Sequence, residues 1–183
     1  MKSFILLPIF LLLTILTFAQ SDSIQFQHFD KGKNIIGLQL SSNSGASMIL
    51  GGFSLRYGRF WMKQLNAGLE SGFAFNGQYS QSYYFKPFGR YYILNKKISP
   101  FLEISYSYRV TSTNSVINEN LKEIENAIFT LGGLAYTGIL KRFGIEFYGG
   151  YYYAASHYLN HPTDNANHNE NDYIVGARIN FHF

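Results

Sequence analysis

The chain has no cysteine, which excludes disulfides, thiolate metal sites and lipid attachment by the lipoprotein route. Charge is sparse: 14% of residues are Asp, Glu, Lys or Arg, and the formal balance is +4. So mild a surplus gives no argument for nucleic acid as a partner. Beyond residue 19 no run approaches the roughly 18 consecutive apolar residues of a membrane helix, so helical spans are excluded. No phosphate-cradling glycine loop, paired-carboxylate signature or CxxC is present. The chain is rich in Tyr (15), Phe (17) and Gly (17) against a single Trp. That mixture favours strands and turns over helices, because aromatic side chains suit a pleated surface and glycine suits bends or close backbone approach.

The first twenty residues read as a secretory leader: Lys2 supplies a positive start, an apolar run extends from Phe4 to Phe18, and Thr17-Phe18-Ala19 is a small-x-small cleavage pattern. The expectation is a signal peptide over 1–19, cleaved after Ala19, which removes Lys2 and lowers the balance to +3. The remainder is one domain's worth of chain.

The last twelve residues, DYIVGARINFHF, alternate strictly. Tyr173, Val175, Ala177, Ile179, Phe181 and Phe183 occupy one parity, and Gly176, Arg178, Asn180 and His182 the other. A period of two is a β-strand signal. The pattern recurs over Asn34–Ser42, Met48–Phe60, Leu65–Asn76, Tyr83–Leu94, Ser99–Val110, Ala127–Leu140 and Phe143–Ser156, which with Asp172–Phe183 predicts eight strands. Connections alternate between tight basic turns (Trp61–Gln64, Asn95–Ile98, Lys141-Arg142) and polar loops, two of them long (Thr111–Asn126, His157–Asn171). The stretch NENLKEIEN, Asn118–Asn126, suggests a short helical turn at a loop tip.

Within the strands the charges gather on the parity that also carries Ser, Gly and Asn: Arg56, Lys86, Arg90, Arg109 and Arg178 against Glu70, Glu103 and Glu146. Both signs on one face, one or two per strand, suit mutual neutralisation in a confined interior. The opposite face is almost uncharged and rich in Leu, Ile, Phe and Tyr, which suits hydrocarbon contact. Aromatic residues concentrate toward strand ends: Tyr91, Phe101, Phe143 and Phe181 beside the tight turns, and Tyr83, Phe85, Tyr106, Tyr108, Tyr151 and Tyr153 toward the loops. Two such levels are the girdles of a transmembrane barrel. The predicted fold class is an all-β, eight-stranded antiparallel up-and-down transmembrane β-barrel over 34–183, preceded by a periplasmic segment over 20–33 and the leader. The charged interior residues, with Tyr148 and Tyr152, are expected to pair across a lumen that side chains fill.

At this point the chain resembles the small eight-stranded outer-membrane β-barrels of Gram-negative bacteria, of the OmpA and OmpX kind. The resemblance rests on the leader, on KISPFLEISYSY at Lys97–Tyr108 and on the closing YIVGARINFHF. It implies location in the cell outer membrane, contact with outer-membrane lipid and lipopolysaccharide, and a role for the terminal Phe183 in the signal read by the barrel-assembly machinery. The family's motifs name no activity; the reading taken is a non-enzymatic role in envelope structure or surface interaction through the loops, with no cofactor and no metal expected. The alternative is a hydrolase acting on lipid A. ASHYLNHPTDNANHNEND is similar to the corresponding region of lipid A deacylases, which carry His-x-Ser-Asn and a following Glu. His157 and Asn160 match that pattern, but Leu159 stands at the nucleophile position, Ser156 points to the other face of the strand, and Glu170 falls one place early. His157, His161, Asp164, His168 and Glu170 share one loop, but their spacing fits no recognised metal pattern.

Overall fold

The computed structural model describes residues 29–40, 51–76, 80–113, 121–139, 142–159 and 168–183. Eight strands, β1 (Asn34–Leu40), β2 (Gly51–Met62), β3 (Leu65–Asn76), β4 (Ser80–Tyr92), β5 (Ile98–Thr113), β6 (Leu121–Ile139), β7 (Phe143–Tyr158) and β8 (His168–His182), pair in sequence order, and β1 also pairs with β8 to close the barrel. Every pairing is antiparallel. The expected leader lies outside the described residues.

Alternation decides which side of each strand is enclosed. In β8, Tyr173 is 77% and Val175 73% exposed, while Arg178 is 1% exposed. The same division holds around the wall, with Leu38, Leu55, Ile104, Ile128 and Phe147 outside and Arg56, Glu70, Arg90, Glu103 and Glu146 buried within. A one-residue slip in any register would exchange the two sets, so polar-in, apolar-out patterning fixes the pairing.

Several expectations need correction. β6 begins at Leu121 and pairs through Lys122, Glu123, Ile124, Glu125 and Asn126 with β5, so these residues form strand and not a helical turn. Their own alternation, Glu123 and Glu125 inward, extends the ladder. β5 likewise continues to Thr113, taking in residues expected in a loop. Glu170 lies in β8 opposite Ala154. Phe101 is not part of an outer girdle. It shares parity with Glu103 and is 1% exposed inside the barrel.

The tight-turn end is sealed from within. Phe29 stacks on Tyr92 with centroids 4.1 Å apart and lies 5.8 Å from Phe60. The residues that hold it are backbone-bonded beneath the wall: Gln64 N–H donates to Phe29 O at 2.8 Å, and Gly32 N–H to Phe60 O at 2.8 Å. Gly32 has φ of 89°, a left-handed conformation that glycine adopts at no steric cost. At the same end Pro100 has no N–H for the Ile93 carbonyl, and Gln64 Nε2 donates to that carbonyl at 2.9 Å.

Phe29 is the residue on which this seal depends. Truncating a fully buried Phe to Ala removes its burial and leaves a cavity, so Phe29→Ala is expected to lower unfolding stability by about 3 to 5 kcal/mol. Urea titration of the folded barrel in vesicles measures the loss.

Candidate functional site

The polar interior is a belt of charged side chains across the middle of the lumen. Glu103 on β5 is its hub. It receives Arg56 Nη1 at 3.2 Å and Nη2 at 2.9 Å, a bidentate contact from β2, and Arg90 from β4 through Nε at 2.8 Å and through Nη2. Arg178 of β8 lies 3.8 Å from the same carboxylate. Glu70 on β3 pairs with Lys86 at 3.0 Å, Arg178 at 3.4 Å and Arg56 at 3.6 Å, and accepts from Ser54 and Tyr84, each at 3.2 Å. Glu146 on β7 takes Arg90, Arg178 at 3.2 Å and the Tyr92 hydroxyl at 2.9 Å. Gln39 of β1 accepts from Arg178 at 2.8 Å. Bidentate guanidinium–carboxylate contacts of this kind are the strong ones among ion pairs.

Four cations (Arg56, Lys86, Arg90, Arg178) thus meet three carboxylates, all of them buried. The surplus has a physical counterpart in the rings. The Arg56 guanidinium lies 3.2 Å from the centroid of Phe88, that of Arg90 4.1 Å from Phe101, that of Arg178 4.9 Å from Tyr148, and Lys86 Nζ 5.2 Å from Phe129. Each buried cation therefore faces the negative face of a π-system, an attraction that strengthens where water is excluded.

Room for these groups comes from glycines on the facing strands. Gly176 is the cross-strand partner of Tyr148 and Gly72 of Tyr84. A Cβ at either glycine would clash with the phenol of the opposite tyrosine. Each tyrosine thus packs over a bare backbone position of the neighbouring strand.

Arg109, expected in the same network, stands apart from it. It pairs with Glu125 at 3.2 Å toward the loop end, where both side chains keep partial solvent contact, 18% and 17%. Sequence reasoning missed Glu125 because its segment was read as helical. It also missed Gln39, Ser54, Tyr84 and Tyr92, whose inward parity was the available signal. Tyr152 stacks on its cross-strand partner Phe129 at 5.3 Å, on the loop side of the charged belt.

Among the described residues, the groups of the hydrolase alternative do not converge. His157 faces outward from β7 opposite Ile124, and Ser156 is buried on the other face. Glu170 shares the inward parity of β8 with Asp172 and Arg178, so the barrel wall separates it from His157. Leu159 is exposed, its N–H donating to Lys122 O at 2.9 Å. Asn160, His161 and Asp164 lie outside the described residues. No group of three His, Asp or Glu able to hold a metal occurs among the described residues.

Removing one partner of a buried pair strands the others. Glu103→Ala leaves three guanidinium groups without their shared carboxylate, and is expected to destabilise the barrel by about 3 to 5 kcal/mol. Glu125→Ala, at the solvated pair, is expected to cost at most about 1 kcal/mol. Urea unfolding of the two variants side by side checks the ranking.

No protein family and no curated protein sequence matches the chain. Solved structures do. The N-terminal β-barrel domain of Pseudomonas aeruginosa OprF aligns with a TM-score of 0.56 at 11% identity, covering 84% of this chain and 98% of that one. Neisserial surface protein A, NspA, aligns with a TM-score of 0.53 at 16% identity, covering 82% and 94%. At such identities the shared property is the fold. This chain has the closed eight-stranded antiparallel barrel of the small outer-membrane proteins.

Proposed function

We propose that the protein is a non-enzymatic barrel of the bacterial outer membrane that acts in envelope structure or surface interaction through its loop end. One observation carries this reading: the barrel is inverted relative to a water-soluble protein, with ion pairs in its centre and Leu, Ile, Val, Phe and Tyr over its outer wall. Closed barrels satisfy all wall hydrogen bonds internally, as hydrocarbon requires. An export leader over 1–19 fits the same destination, and the tight turns then face the periplasm. Phe183 supports a part in assembly. Its main chain exchanges hydrogen bonds with Asn34 at 2.8 and 3.0 Å where β8 meets β1, so the residue proposed as the assembly signal also lies at the closing seam.

The protein is expected to fractionate with outer membranes and to show heat-modifiable gel mobility. Recovery of the folded protein in the soluble periplasm would remove the membrane reading. The ion-paired belt and the Phe29 seal leave little room for permeant ions. Planar bilayers containing the protein are therefore expected to show no large, steady conductance, and porin-sized currents would refute a packed interior.

Absence of hydrolysis rests on His157. A hydroxyl nucleophile must lie within hydrogen-bond reach of its base, and the residue at the motif's nucleophile position, just past the end of β7, is Leu159. Lipid A from cells expressing the protein is expected to keep all its acyl chains in mass spectrometry. Loss of a chain that His157→Ala abolishes would make His157 catalytic.

A further inference from the structure

The charges are sorted by level along the barrel. The belt occupies the middle. At the loop end the described side chains are mainly acidic, with Glu123, Glu125, Glu170 and Asp172 against Arg109 and Lys122. At the tight-turn end the sign reverses: Lys31, Lys33, Arg59, Lys63, Lys96 and Arg142 ring the mouth, and Asp30 is the one acidic side chain there among the described residues. Asp30 Oδ1 accepts a hydrogen bond from Asn95 at 3.3 Å.

The position of these cations matters as much as their number. Arg59 projects outward from β2, and its guanidinium lies 6.0 Å from the ring of Trp61, which is 60% exposed. Tyr91, Tyr136, Phe143 and Phe183 are exposed toward the same end. Outward aromatic rings with one polar edge settle at the headgroup boundary of a bilayer. Lys and Arg beside them extend apolar stems along the wall and hold their charges among the phosphates. A partner lying beneath the mouth would be met from below, whereas Arg59 meets what lies beside the wall.

We propose that this collar binds anionic phospholipid headgroups and gathers acidic lipids around the turn end of the barrel. The proposal rests on the membrane reading above. Its chemistry is that of several phosphate diesters, each held by Lys or Arg at the rim. The attraction is electrostatic and weakens with salt.

Trp61 is the single tryptophan of the chain and stands in the collar, so its fluorescence is the probe. The protein is reconstituted in vesicles of equal phosphatidylcholine and phosphatidylglycerol, with bromine on the acyl chains of one lipid or the other. Brominated phosphatidylglycerol is expected to quench Trp61 about two-fold more than brominated phosphatidylcholine, with the difference vanishing at high salt and in the Lys63→Gln/Lys96→Gln/Arg142→Gln variant. These three residues are at the surface, and heat-modifiable mobility verifies that the variant folds. Equal quenching by both lipids overturns the collar while leaving the membrane reading intact. Absence of quenching by either overturns the membrane reading itself. A preference that survives in the variant overturns the assignment to these cations. Retention on isolated cell-wall polymer, together with equal quenching, overturns the lipid assignment in favour of a wall partner.

Discussion

The rest of the structure depends on neutralising charge inside a closed wall. Ions removed from water carry a desolvation cost of several kcal/mol each, which good geometry and additional hydrogen bonds must offset. Here Glu103 takes Arg56 and Arg90 as close partners with Arg178 nearby, Glu146 joins Arg90 to Arg178, and the rings of Phe88, Phe101, Tyr148 and Phe129 face the four cations. These contacts also do what backbone pairing does not. The ladder links each strand only to its neighbours, whereas Arg56–Glu103 joins β2 to β5, Arg90–Glu146 joins β4 to β7, and Glu70–Arg178 joins β3 to β8. The lumen is therefore cross-braced, and the bracing is specific to one register in each strand that contributes to it. A slipped strand would carry its charge to the outer wall and strand its former partners.

The outer wall follows from the same constraint read in reverse. Once the polar parity is committed to the interior, every alternate residue faces outward, and its character sets the medium that the barrel tolerates. Leu102, Ile104, Phe147, Val175 and Ile179 leave no charged side chain among them to meet water. Two tyrosine hydroxyls on this face have partners on it: that of Tyr106 donates to Asn126, and that of Tyr57 to Asn34 at 3.0 Å.

Much of this was legible in the sequence because β-structure writes its faces at period two. The strand count, the closing order and the inward placement of Arg56, Glu70, Lys86, Arg90, Glu103, Glu146 and Arg178 all follow from parity. The errors have physical origins. Strand ends toward the loops are polar on both faces, so alternation fades there, and Leu121–Asn126 read as a helical turn although Glu125 was keeping the inward parity for Arg109. Phe101 was misassigned for a related reason: its neighbourhood near a tight turn suggested a girdle, while its parity with Glu103 already placed it inside. Phe29 could not be found by periodicity at all. It precedes β1, and its role arises from contacts with Tyr92 and Phe60, which are distant in sequence.

The same parity rule limits what chemistry such a barrel can carry. A catalytic set needs at least two or three polar groups converging on one point, and adjacent residues on a strand cannot supply them, since they face opposite media. His157 and Ser156 are divided in this way, and His157 and Glu170 are divided by the wall between strands that pair. Inside, the carboxylates and guanidinium groups that could act on a substrate already satisfy one another, and the Phe29 seal closes the mouth beneath them. Outside the belt, the charges of the described residues lie toward the two rims. There the chain differs most from end to end: acidic residues around Arg109 at the loops, lysines and arginines beside Trp61 at the turns. The middle of the barrel fixes the fold, and among the described residues the two ends carry opposite charge.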